Sequence, residues 1–158
     1  TALGAMAETC LGSIASAPEP VVVQALEVWT ALAEHELQLL RGPGAGECRR
    51  LAQEVYPLVL PVLLECMARS GELDDECEDD GLMTSGALGA ARVCSMAMAR
   101  VLADACVAPT LGLVESGLAS PARWQRRAAI LTFGAILEGP SAQTLSPLVS
   151  AALPQLLI

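Results

Sequence analysis

Proline and glycine cut this chain at intervals that leave room for helices and little else. Breaks fall at Ala17-Pro18-Glu19-Pro20, at Arg41-Gly42-Pro43-Gly44-Ala45-Gly46, at Ser120-Pro121 and at Gly139-Pro140. Proline disfavours helix at the residue before it and is tolerated in a first turn, so each break closes one helix and opens the next. Between the breaks, apolar residues recur at helical spacing. Val22, Leu26, Trp29 and Ala33 form one stripe, Val55, Val59, Val62 and Cys66 a second, and Leu88, Ala91, Ser95, Met98 and Leu102 a third. Leu111, Val114 and Leu118, then Ile130, Phe133 and Leu137, then Leu145, Leu148, Ala152 and Leu156 continue the pattern. The spacing predicts helices over 2–16, 20–39, 48–69, 83–104, 109–118, 121–138 and 141–157. Pro57 and Pro61 predict a kink in the third.

Composition agrees. The 158 residues fit one domain. Hydrophobic residues make up 53% but aromatic ones only 3%, and 27 residues are alanine, the strongest helix former. Apolar area must come from small and aliphatic side chains, which let helices approach closely. The fold class read from this is all-α. The helices pair as 2–16 with 20–39, 48–69 with 83–104, and 109–118 with 121–138, leaving a half unit. A pair period of about forty residues marks an α-α superhelix of the HEAT or armadillo type. The repeats run about 1–40, 48–104, 105–139 and a half repeat at 140–158. The competing reading is a helical bundle closed around one core. The chain opens and closes inside predicted helices, and the expectation is a piece cut from a longer protein.

Seven acids sit in nine residues: Glu72, Asp74, Asp75, Glu76, Glu78, Asp79 and Asp80. The formal charge is -9, and without this run 11 acids face 9 bases. The acidity is therefore local, in a loop at 71–81. Concentrated carboxylates repel one another, stay solvated and draw in basic partners. Glu27 and Glu34 are seven apart on a predicted helix, so both lie on one face.

Other chemistries find little support. None of the six cysteines, Cys10, Cys48, Cys66, Cys77, Cys94 and Cys106, forms a C-x-x-C pair, and most sit in apolar segments where a thiol behaves as a small hydrophobe. A zinc site needs tight ligand pairs, and the only histidine is His35. Glu34-His35-Glu36 alone does not make a metal site. There is no phosphate-binding loop and no Ser/His/Asp set. The longest unbroken apolar run, Val55–Leu64, is half of the ~20 residues a spanning helix needs. No enzyme activity, cofactor, metal, nucleic acid or membrane insertion is expected. Trp29, Trp124 and Phe133 read as core, and His35 as surface.

At 123–140 the chain reads RWQRRAAILTFGAILEGP, continuing SAQTLSPLV. Its A-x-x-x-F-G-x-I-L-E-G-P string resembles the importin-β (karyopherin-β) family of nuclear transport receptors, and QALEVW at 24–29 is similar to that family's Q-G-I-E-F-W stretch. The resemblance implies about three HEAT repeats from the middle of an importin-β superhelix, including its acidic loop. It implies a carrier that moves between cytoplasm and nucleus through the pore. Its partners would be Ran-GTP, importin-α or another basic cargo segment, and Phe-Gly nucleoporins on the outer helices. The implied contacts for Ran or a basic segment are Glu27, Glu34, Glu72, Asp74, Asp75, Glu76, Glu78, Asp79 and Asp80. The match has departures. Family loops usually end in Trp where this chain has Gly81-Leu82-Met83. Ala122-Arg123-Trp124 replaces Asp-Trp-Arg, and Arg127 replaces another acid, which thins the family's Asp–Arg ladder although Arg126 remains. A HEAT scaffold or adaptor outside transport is the alternative function.

Overall fold

The computed structural model describes residues 5, 12, 14, 17–43, 45–73 and 86–156. Among them the regular elements are all helical: α1 (Glu19–Arg41), α2 (Leu51–Leu73), α3 (Gly86–Leu102), α4 (Val107–Leu118), α5 (Arg123–Ile136) and α6 (Ala142–Leu156), with short 3-10 turns at Ala45–Glu47 and Ala103–Cys106. Of the helix expected at 2–16, only Ala5, Gly12 and Ile14 are described, and these are helical.

The expected boundaries hold to within a few residues, with one informative exception. α2 starts at Leu51, after Arg50 turns the chain with φ 53°, and continues to Leu73. Gly71, Glu72 and Leu73 are therefore helical, not loop, so the acidic run begins on the last turn of α2. Pro57 and Pro61 lie one turn apart and both are exposed. The carbonyls they leave without a donor, those of Gln53 and Pro57, thus belong to residues on the water side, where solvent can replace the missing partner. The helix continues past both.

Most stripes pack as read. Val22, Leu26, Trp29 and Ala33 are buried in α1, Val55, Val59 and Cys66 in α2, and Leu88, Ala91, Ser95 and Met98 in α3. α5 departs from its expected face. Ile130 is 45% exposed, and Phe133 and Leu137 are only half-buried. The packed face is Ala128, Ala129, Thr132, Ala135 and Ile136 instead. Small residues there let α5 lie close against its neighbours, while the larger side chains are left part-exposed or facing water. Trp124, read as core, is likewise half-buried.

The order of packing separates a solenoid from a closed bundle. α3 packs against α1 and against α5, while α1 and α5 make at most marginal contact with each other. The Glu19 carboxylate accepts the Ala87 N–H (3.0 Å), pinning the N-terminal ends of α1 and α3 together. The Arg100–Glu138 ion pair joins the C-terminal ends of α3 and α5. The three therefore run side by side in one direction. α2 and α4 form a second row. There the Tyr56 hydroxyl meets the Thr110 hydroxyl (2.7 Å), which itself donates to the Cys106 carbonyl (2.7 Å), so Tyr56 is the donor between them. α2 also packs on α5 of the following pair. Such stacking buries faces that no single hairpin could cover.

Contact holds glycine in place at Gly86 and Gly139, among other positions. Gly86 has φ +69°, and a Cβ on it would strike the Glu19 carboxylate. A Cβ on Gly139 would strike the Ala99 carbonyl, so the end of α5 approaches α3 as closely as backbones allow.

Counting unbroken apolar runs misses one property. Leu51–Arg69 and Gly86–Leu118 are long and apolar enough, by length and composition alone, to cross a membrane. Half of the first stretch is buried within the fold, with Val55, Val59, Leu60, Leu63, Cys66 and Met67 packed in the core. The second comprises α3, a 3-10 turn and α4.

Candidate partner-binding surface

Two uses of carboxylates bear on this surface among the described residues. Three serve the N-termini of helices, where backbone N–H groups lack partners and the helix dipole favours negative charge. Glu36 is the most buried, at 3% exposure, and its two oxygens accept the N–H groups of Leu51 (2.6 Å) and Ala52 (2.9 Å) at the start of α2. Glu19 does the same for α3. Asp104 accepts the N–H of Ser141 (2.7 Å) and its hydroxyl (3.1 Å), and Ser141 in turn receives the Thr144 N–H at the start of α6. The Ser141 N–H, followed by the Ser141 and Thr144 hydroxyls, holds the Asp104 carboxyl below its ordinary value.

Glu27 and Glu34 are the second case. Both are exposed on α1, away from its packed stripe. Glu27 accepts a hydrogen bond from Gln24 on its own helix (2.9 Å). The structure thus brings these two expected residues onto one exposed face, with His35 exposed nearby. Glu72 lies on the last turn of α2. Asp74, Asp75, Glu76, Glu78, Asp79 and Asp80 lie outside the described residues.

The sequence reading missed the structural role of Glu36. A signal was present: the stripe Val22, Leu26, Trp29, Ala33 continues by three residues onto Glu36, placing a carboxylate on the packed face.

Three of the described thiols are buried and stay protonated near neutral pH. Burial pushes Cys66 and Cys106 up to about 11 and Cys94 up to about 12. Burial likewise raises the Tyr56 hydroxyl. Among the described residues no buried side-chain nitrogen or oxygen lacks a hydrogen-bond partner.

On the other row, α2 and α4 frame a cavity of about 200 Å³ floored by the start of α5. Pro61, Leu64 and Ala68 line one side, Leu113 and Gly117 the other, and Trp124 and Ala128 the base, with Glu65, Ser116 and Gln125 at polar positions. Its lining is mixed, with about as much polar surface as apolar.

A repeating unit of paired helices, stacked so that each touches only its neighbours, defines a HEAT-repeat solenoid. No family model matches the chain. It is 34% identical over 148 residues to importin subunit beta-1 of Schizosaccharomyces pombe, covering 88% of this chain and 16% of that protein. Against importin subunit beta-1 of Arabidopsis thaliana it is 32% identical, covering 85% and 16%. Yeast importin-beta, Kap95p, superposes with a TM-score of 0.78 at 23% identity, over 92% of this chain and 17% of that one. A structure of Kap95p, whose binding induces the switch loops of RanGDP to adopt the GTP-bound conformation, gives 0.79 at 24% identity over 95% and 18%. The Kap95:Nup1 complex gives 0.77 at 24% identity over 92% and 17%. Over this segment the chain is homologous to importin subunit beta-1. It spans about a sixth of the length of the curated relatives it matches.

Proposed function

We propose that the chain forms part of a nuclear import receptor, acting as a binding protein between cytoplasm and nucleus and not as a catalyst. The identity to importin subunit beta-1 across 148 residues carries this reading. Ran-GTP and a basic segment, from importin-α or a cargo, compete for the row formed by α1 and the acidic run. Glu27, Glu34 and Glu72, with Asp74, Asp75, Glu76, Glu78, Asp79 and Asp80, are the contacts. The exposure of Glu27 and Glu34 on one face supports their part in it. Each exposed pair contributes only tenths to ~1 kcal/mol. Acids acting together raise the association rate and make binding salt-dependent. Because the two ligands share a surface, each weakens the other by the same factor.

The cavity between α2 and α4 takes a Phe side chain of a Phe-Gly nucleoporin. Its volume and the side chains of Leu64, Leu113 and Trp124 support that occupant, with Trp124 offering a ring for aromatic contact.

A pull-down tests the reading directly. The purified chain is expected to retain Ran-GTP and a Lys/Arg-rich peptide at ~50 mM salt and to release both at several times that concentration. Retention of neither at low salt, by a chain shown to be helical, refutes the proposal. Deleting 72–80 is expected to weaken both; unchanged binding favours a scaffold role outside transport.

A further inference from the structure

We propose that α3 and α5 form a second docking surface of opposite charge, one that takes an acidic peptide segment. Arg92, Arg123 and Arg127 are its charged contacts, and Val93 and Ile130 its apolar ones.

Neither α3 nor α5 contains a single Asp or Glu. Together they carry five arginines, and two of these have structural partners. Arg100 pairs with Glu138, and Arg126 donates to the Ser120 and Pro121 carbonyls. Arg92, Arg123 and Arg127 have no hydrogen bond or ion pair among the described residues. Arg123 and Arg127 are exposed and Arg92 half-exposed. Positive charge with no partner among the described residues, on packed neighbouring helices, makes a field that attracts an anion.

Position brings the three together. α3 and α5 run in one direction, joined at Arg100 and Glu138. At 1.5 Å per residue, Arg92 lies about 12 Å back from Arg100 and Arg127 about 16 Å back from Glu138. The two arginines thus stand at similar heights on adjacent helices. Arg123 is one turn before Arg127, on the same face of α5. Val93 (54% exposed) and Ile130 (45% exposed) stand among them.

That mixture favours a peptide over a nucleic acid. Three arginines with two exposed aliphatic side chains suit a segment in which acids alternate with Leu, Ile or Val. A long polyanion would find no continuous track and would face a chain of net charge -9. Arginine's fixed fork of donors matches carboxylates well.

The test uses the full chain and a fluorescent ten-residue peptide of alternating Glu and Leu, followed by anisotropy at low salt. Saturable binding is expected. Replacing Arg92, Arg123 and Arg127 together by Ser is expected to weaken it about tenfold, each exposed pair being a few-fold in affinity. The matching Arg→Lys variant is expected to keep most of the affinity, and Val93→Ser with Ile130→Ser to lose part of it. Replacing Arg41, Arg49 and Arg50 by Ser makes the same change in net charge elsewhere and is expected to leave binding within twofold. Circular dichroism checks that each variant is helical. An equal loss in that control overturns the proposal, as does an oligouridine of equal charge binding as tightly as the peptide. Binding that emerges only after the acids of 72–80 are changed to Asn and Gln assigns the arginines to the chain's own acidic run, and overturns it too.

Discussion

The seams between hairpins and the open row along α1 use the same functional groups in opposite ways. In the seams, charge is either paired or suppressed. Glu36 spends both oxygens on the start of α2, Arg100 and Glu138 hold α3 to α5, and three thiols stay protonated by burial. Along α1, Glu27 and Glu34 face water. Glu34 and Glu36 are two residues apart, so about half a helical turn separates a solvated carboxylate from a structural one. The seams should therefore respond to alkali and truncation, and the row to salt.

Alkali should have the largest effect. Below the ordinary thiol value near 9, the folded and unfolded chains are both protonated, so pH changes nothing through these groups. Above it the unfolded thiols ionise, while the folded ones hold their protons to about 11–12. The unfolded state then binds fewer protons, so stability falls as pH rises from 9 towards 11. Thermal melts at pH 8, 9.5 and 10.5 should show it, and a flat profile would break the account of the seams. Next is Glu36→Ala. It leaves two N–H groups in a packed seam without their charged acceptor, and denaturant unfolding should register a loss of about 3 kcal/mol. Trp124→Ala, at a half-buried position, should cost about 2 kcal/mol, less than the fully buried case. It should also abolish any affinity of the cavity for a Phe-bearing peptide. Tyr56→Phe removes one buried donor while Thr110 keeps its bond to Cys106, so about 1 kcal/mol is expected. Smallest in stability is the double change Glu27→Gln and Glu34→Gln, which should stay within ~0.5 kcal/mol of the parent. It should nevertheless weaken a basic peptide several-fold at low salt, and that contrast is the sharpest measure of the difference between the two regions.

Much of the fold could be read beforehand, because proline and glycine breaks and the 3.6-residue period are local properties. The helices from residue 19 onward, the two later pairings and most stripes follow from these. α5 did not, because its packed face is built from Ala and Thr while Ile130 faces water. A residue's size tells which face is inward only where neighbours leave room for it. The caps from Glu19, Glu36 and Asp104 are long-range, joining residues 15 to 68 positions apart. No local pattern announces such partners, although the stripe leading to Glu36 came near. Of the candidate site, Glu27 and Glu34 were legible from their spacing. Arg123 and Arg127 of α5 were visible as departures from a family pattern, but that their helix lies beside Arg92 of α3 depends on the fold.

That α1 and α5 make at most marginal contact has a mechanical consequence. Each junction with α3 can open or close a little without straining the other, so small angular changes add along the row as in a coil spring. A ligand bridging α1 and α5 would clamp both junctions at once, and the energy of that contact would be stored as altered pitch.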